Sequence, residues 1–203
     1  MQLTLEQKQA KYAYSKNGSA KNAVEGLKKG SRIIGLTQGQ FSLIDLIHET
    51  LSLIGGGKVI LSTWSAGIKD VNNVKWMCDT KLIDSFLLIV DHSYATRQMN
   101  YVLQIGELFP KENIRTSEIH AKFVLIWNEE YKISIRTSMN LNANKTCETY
   151  EIEEGEEAFK FYHDFAMSIA KEMPSGFVAD SSVVTRAQDR AFNSVQKDWF
   201  TND

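Results

Sequence analysis

Residues 86–90 read Phe-Leu-Leu-Ile-Val, five apolar positions with no polar break. Successive side chains of a strand point to opposite faces. A strand with one wet face therefore alternates, and an unbroken apolar run marks a strand covered on both sides by helices. The neighbouring segments have the period this requires. Residues 41–54 place Leu43, Ile44, Ile47, Leu51 and Ile54 on one helical stripe, and the glycines at 55–57 stop it. Residues 70–83 carry Val71, Val74, Met77 and Cys78 on one face behind a predicted Asp70 cap. Residues 94–109 form a further helix, closed by Pro110. Short strands are predicted at 32–36, 58–64 and 113–117, between and after these helices.

After Glu118 the rhythm changes. Residues 122–127 and 131–138 read as two strands joined by Asn128-Glu129-Glu130, a hairpin. Residues 147–152 offer another strand. Residues 156–173 form a helix with Ala158, Phe161, Phe165 and Ile169 inward, ended by Pro174 and Gly176, and 180–200 form a last helix. The predicted fold is α/β, a mixed β-sheet flanked by helices. Its parts are a basic helical N-terminal arm (1–30), a central domain (31–175) and a helical tail (176–203).

A chain of 203 residues suits one sizeable domain. Its net charge of -2 gives no global positive field that would advertise nucleic acid. The charge is uneven, however. Residues 1–32 hold seven basic side chains, among them Lys28 and Lys29, against Glu6 and Glu25, while 151–157 hold five acids. Each run reads as a solvated face, or, for the basic one, as an arm that holds phosphate. Cys78 and Cys147 form no Cys-x-x-Cys pair and no metal-ligand spacing with the four histidines, so no metal is expected and a reduced, cytoplasmic setting fits. The N-terminus lacks the apolar core of a secretory signal, and no run approaches the ~20 apolar residues of a membrane helix. A membrane is therefore not an expected partner.

The chemistry concentrates in residues 119–142. His120 and Lys122 share a side of one strand, and Ser138 and Asn140 share a side at the end of the next. If the strands are neighbours, the hairpin brings all four together. An imidazole, an ammonium, an amide and a hydroxyl in one small volume suit a phosphate group.

These residues, His-Ala-Lys at 120–122 and Thr-Ser-Met-Asn at 137–140, resemble the HxK…SxN signature of the phospholipase D superfamily, and in particular its small single-motif nucleases. The resemblance spans roughly residues 31–170. It implies a metal-independent phosphodiesterase without cofactor, most simply a nuclease acting on DNA or RNA. In such an enzyme His120 attacks phosphorus to form a phosphohistidine, while Lys122, Asn140 and Ser138 hold the phosphate. A downstream carboxylate orients the histidine, with Glu151 the first choice and Glu148 the second. The motif departs from the family's pattern. Trp127-Asn128-Glu129 stand where an acid ends the first strand, the hairpin is longer, and Thr137 replaces a glycine. The family mechanism uses two histidines and this chain has one HxK, so the resemblance implies a homodimer that brings two copies of His120 together.

Two residues outside the motif are candidate substrate contacts. Trp64 either stacks on a base or fills a rim, and Arg97 either binds phosphate or pairs with Asp91. The readings from other classes are a non-catalytic nucleic-acid-binding module of the same fold and a phospholipase or phosphatidyltransferase.

Overall fold

The computed structural model describes residues 10–15, 18–142 and 145–200. The apolar run at 86–90 lies in β4 (Ile83–Asp91), which pairs in parallel with β3 (Gly57–Thr63) on one side and β5 (Ile114–Ser117) on the other. Beyond β3 follow β6 (Phe123–Trp127), β7 (Lys132–Thr137), β8 (Glu148–Glu154), β2 (Arg32–Thr37) and β1 (Ala10–Ser15). The sheet is mixed, as expected. β6 and β8 run against the other six strands.

Helices cover both faces. One face packs on α1 (Ala20–Val24), α2 (Leu43–Ile54), α3 (Ile68–Asp79) and α5 (Met99–Leu108), through a core that includes Ile33, Leu61, Leu88, Val124 and Ile135. On the other face Ile60, Ile89, Phe123 and Leu125 meet α6 (Glu156–Glu172) and α7 (Ser181–Phe200). Adjacent residues of β4, Leu88 and Ile89, thus enter opposite cores, which is why its sequence cannot alternate. Ser42 and Asp45 form a capping box on α2, and Gly55 ends it in the left-handed region (φ 79°).

Four expectations need correction. The N-terminal arm is not helical throughout, because Ala10–Ser15 extends the sheet as an edge strand beside β2. Asp70 does not cap α3. The helix begins at Ile68 behind Gly67, and Asp70 lies buried in its first turn. The helix expected over 94–109 is two: α4 (His92–Arg97), capped by the Asp91 carboxylate, and α5, separated at Gln98 where the backbone leaves the helical region. On α6, Phe159, Ala166 and Ile169 face inward, while Phe161 is 47% exposed. That helix must serve β6 and α7 together, with Phe165 against Phe192, and this turns it away from the predicted phase.

Candidate active site

The carboxyl ends of β2, β3, β4, β5 and β7 and the beginnings of β6 and β8 share one edge of the sheet. Ligands of α/β proteins bind at such edges, where loops diverge and backbone groups are free. His120 and Lys122 immediately precede β6, and Ser138 and Asn140 follow β7. The Ser62 hydroxyl donates to the Ala121 carbonyl at 2.8 Å, and the Thr137 amide donates to the Lys122 carbonyl at 3.1 Å. These bonds fix the His-x-Lys segment between two strands before any ligand arrives.

The Lys122 ammonium lies 3.4 Å from His120 Nδ1 and donates to the His120 carbonyl at 3.1 Å. Burial pushes the Lys122 ammonium below the ordinary lysine value, and the nearby Glu148 carboxylate offsets part of that shift. His120 itself is exposed. Asn140 joins from the other side of the edge. Its side-chain oxygen lies 3.4 Å from the Thr63 hydroxyl, which donates to the Ser65 carbonyl at 2.8 Å. Thr63 also binds the Leu141 amide, and the Gly67 amide donates to the Leu141 carbonyl at 2.7 Å, so the loops after β3 and β7 are laced together. The buried Tyr94 hydroxyl anchors the first of these loops by donating to Ala66.

Ser138 is near but already engaged. Its hydroxyl donates to Glu148 and accepts from the Thr149 amide. Thr137 supplies the turn that a glycine would otherwise make: its hydroxyl donates to Thr149 and accepts from the Met139 amide. Of the two glutamates considered from the sequence, Glu148 lies at this edge. Glu151 does not, because its side chain binds Arg32 and Arg136 on the opposite face of β8 from Tyr150 and Ile152. Strand alternation decides this: the two acids are three positions apart, an odd offset, so they leave the strand on opposite sides.

Trp64 follows β3 and stands beside His120, their ring centroids 5.6 Å apart. The Arg97 guanidinium lies 3.9 Å above the same indole, and its Nε donates to the Ser93 hydroxyl at 3.1 Å. Arg97 does not pair with Asp91. Asp91 is buried and accepts from the Ser93 hydroxyl and amide, and its second oxygen accepts from the Ile119 amide at 3.2 Å. Sequence reading missed Thr63 and Asp91 as organisers of the edge. Their signal was positional, since each is a polar residue ending a strand of the parallel set.

Lys28 and Lys29 are not at this edge. They precede β2, at the opposite end of the sheet, where Lys29 pairs with Glu154 at 3.3 Å and covers the Tyr131 ring at 4.4 Å. Lys11 donates to the Glu25 carbonyl. Lys8 and Lys16 lie outside the described residues. The missing acid of the motif also has a structural account. The Asn128 side chain donates to the carbonyls of Ile54 and Gly56 and accepts from the amides of Glu130 and Tyr131, which closes the β6–β7 turn. Trp127 packs edge-on against Phe159 and His163. Neither position is available to a carboxylate near His120.

The chain matches no protein-family model and no curated protein sequence. It is similar in structure to Nuc, a phospholipase D family member from Salmonella typhimurium, with a TM-score of 0.51 and 12% identity over 73% of this chain and 99% of that one. It is equally similar to NucT from Helicobacter pylori, with a TM-score of 0.50 and 13% identity over 72% and 100%. No described helix is long and apolar enough to cross a membrane. The chain thus shares the fold of these two proteins, the first of them a phospholipase D family member.

Proposed function

We propose that the protein is a metal-independent phosphodiesterase that cleaves nucleic acid at His120. The observation that carries this reading is the Lys122 ammonium held 3.4 Å from the His120 imidazole at an open sheet edge, with the Asn140 amide nitrogen making no hydrogen bond among the described residues. Burial disfavours the charged form of Lys122, and the Glu148 carboxylate offsets only part of this. A phosphodiester placed there restores the ammonium and meets the Asn140 donor. His120 Nε2 attacks phosphorus, and the bond to the leaving alcohol oxygen breaks as that oxygen takes a proton. Water then attacks the phosphohistidine, its proton passes to the group that protonated the leaving oxygen, and the P–N bond breaks to free His120.

The acid must stand opposite the nucleophile, and one chain offers one such histidine. A second copy, with its own His120 across the phosphate, supplies it in this reading. A groove of about 500 Å³ along β1, β2 and β8, lined by Tyr12, Ile34, Leu36 and Thr149, supports it. Thr149 joins this groove to Ser138, and Tyr12 is 78% exposed, so an apolar surface borders the site.

The Glu148 carboxylate beside Ser138 favours one alternative, a nucleic-acid-binding module whose site admits phosphate without cleaving it. Incubation with plasmid DNA, single-stranded DNA and RNA in excess EDTA separates the two. Cleavage that His120→Ala abolishes supports the enzyme. Binding without cleavage supports the module, and neither binding nor cleavage rejects both.

A further inference from the structure

Trp64 and Arg97 are shaped for something the reacting phosphate does not use. Arg97 is exposed, carries one hydrogen bond to Ser93, and makes no ion pair with any described residue. A free arginine of that length normally samples many rotamers. Here the guanidinium carbon lies over the indole, 3.9 Å from the ring centroid, and Nε is tied to Ser93. Ser93 is in turn bound by Asp91, whose other oxygen holds the amide of Ile119, next to His120. Asp91 therefore joins the arginine's helix to the segment that carries His120 into β6 through one buried carboxylate. Arg97 and His120 both meet the same indole, so one ring links the guanidinium to the imidazole. Its remaining N–H donors form the fork that matches a phosphate. Arg97 also covers one face of the indole.

We propose that Arg97, held by Trp64 and Ser93, binds the phosphate adjacent to the scissile one, so that the site selects a chain of phosphodiesters over an isolated diester. This rests on the reading of His120 as the phosphate site and deepens it. A phospholipid, with its single phosphodiester, would leave Arg97 unused, whereas a polynucleotide always presents a neighbouring phosphate. Trp64 acts as a positioning residue, with no base stacked on it.

The test compares ligands that differ by one phosphate: a thymidine dinucleotide with only its internal phosphate, and the same dinucleotide with an added 5′ or 3′ terminal phosphate. Affinities are measured in the His120→Ala chain, which leaves the ligands intact, with and without Arg97→Ala. The expected result is that Arg97→Ala weakens at least one of the two-phosphate ligands about tenfold more than the one-phosphate ligand, the scale of a hydrogen bond to a charged group. Arg97→Lys should recover only part of this, because the ammonium keeps the charge and loses the stacked fork. Trp64→Ala should reproduce the selective loss. Equal weakening of all three ligands overturns the proposal, as does no binding of any of them by the chain with Arg97 intact. Absence of cleavage by the wild-type protein, with the selective loss in affinity preserved, would reject the enzymatic reading and leave the second phosphate site standing.

Discussion

Removing the imidazole of His120 separates chemistry from folding. The ring is exposed and touches only Trp64 and Lys122 among the contacts that define the edge, so its truncation opens no cavity. His120→Ala is expected to abolish cleavage with an unchanged thermal midpoint, read by a nuclease assay and by circular dichroism. Cleavage at the wild-type rate would remove His120 from the reaction. Lys122→Ala and Asn140→Ala should each lower kcat on the order of a hundredfold, as for other preorganised donors facing developing charge. The two acids should part in a different way. Glu151→Gln loses its charged contacts with Arg32 and Arg136 and should lower the thermal midpoint while cleavage persists. Glu148→Gln removes the carboxylate that offsets the shift of Lys122 and partners Ser138, so it should change the pH profile of cleavage. The opposite pattern would return Glu151 to the site.

Strands and helices carry their own tests. At Gly35 a Cβ would stand 2.1 Å from the Tyr150 ring, which is fully buried against Phe41 and has nowhere to go. Gly35→Ala should therefore cost about 1–3 kcal/mol in urea unfolding, the range for overpacking. The buried Tyr150 hydroxyl makes no hydrogen bond among the described residues, so Tyr150→Phe should leave stability unchanged or raise it. In the β6–β7 turn, Asn128→Asp would replace two donors with an oxygen facing the carbonyls of Ile54 and Gly56. A loss of about 2 kcal/mol is expected, and preserved stability would show that the turn tolerates the acid. On α6, burial against Trp127 and Phe159 pushes the His163 imidazole below its ordinary value of 6.5, although Asp164 pulls the other way. The unfolded chain then binds more protons in mild acid. Stability should be full above about pH 6.5 and fall as pH drops through the lowered folded value. His163→Phe should flatten that slope, as measured by urea midpoints across this window.

For the whole molecule, the central question is whether two copies share one phosphate. Forced heterodimers of wild-type and His120→Ala chains should lose most of their turnover if each phosphate needs both histidines. Half of the wild-type rate, or full activity from a monomer, would exclude the shared site. Phosphate or sulfate should raise the thermal midpoint, and Lys122→Ala should remove that effect, since an anion that binds only the folded state stabilises it. The basic N-terminal run makes the reverse prediction. Lys28 and Lys29 sit at the far end of the sheet, so replacing both with alanine should leave nucleic-acid affinity unchanged at every salt concentration. A flatter salt dependence would bring the arm back into the interface.

Local chemistry was enough to read much of this molecule from its sequence. An unbroken Phe-Leu-Leu-Ile-Val requires cover on both faces, and residues 41–54 can bury their stripe only as a helix. The proximity of His120, Lys122, Ser138 and Asn140 also follows from period-two alternation and one short hairpin. What the sequence left open depends on partners distant along the chain. Glu148 and Glu151 are equally acidic and close in sequence. Only the placement of β8 between β7 and β2 sends one toward Ser138 and the other to Arg32 and Arg136. Lys29 has the charge of a phosphate ligand, but the direction of β2 carries it to the wrong end of the sheet. Arg97 gains its orientation from Trp64 and Ser93, and the Ile119 amide from Asp91, across loops that no local pattern connects. Propensity and periodicity act within a few residues, whereas the address of a charged side chain is set by strand order and direction, which exist only once the sheet has formed.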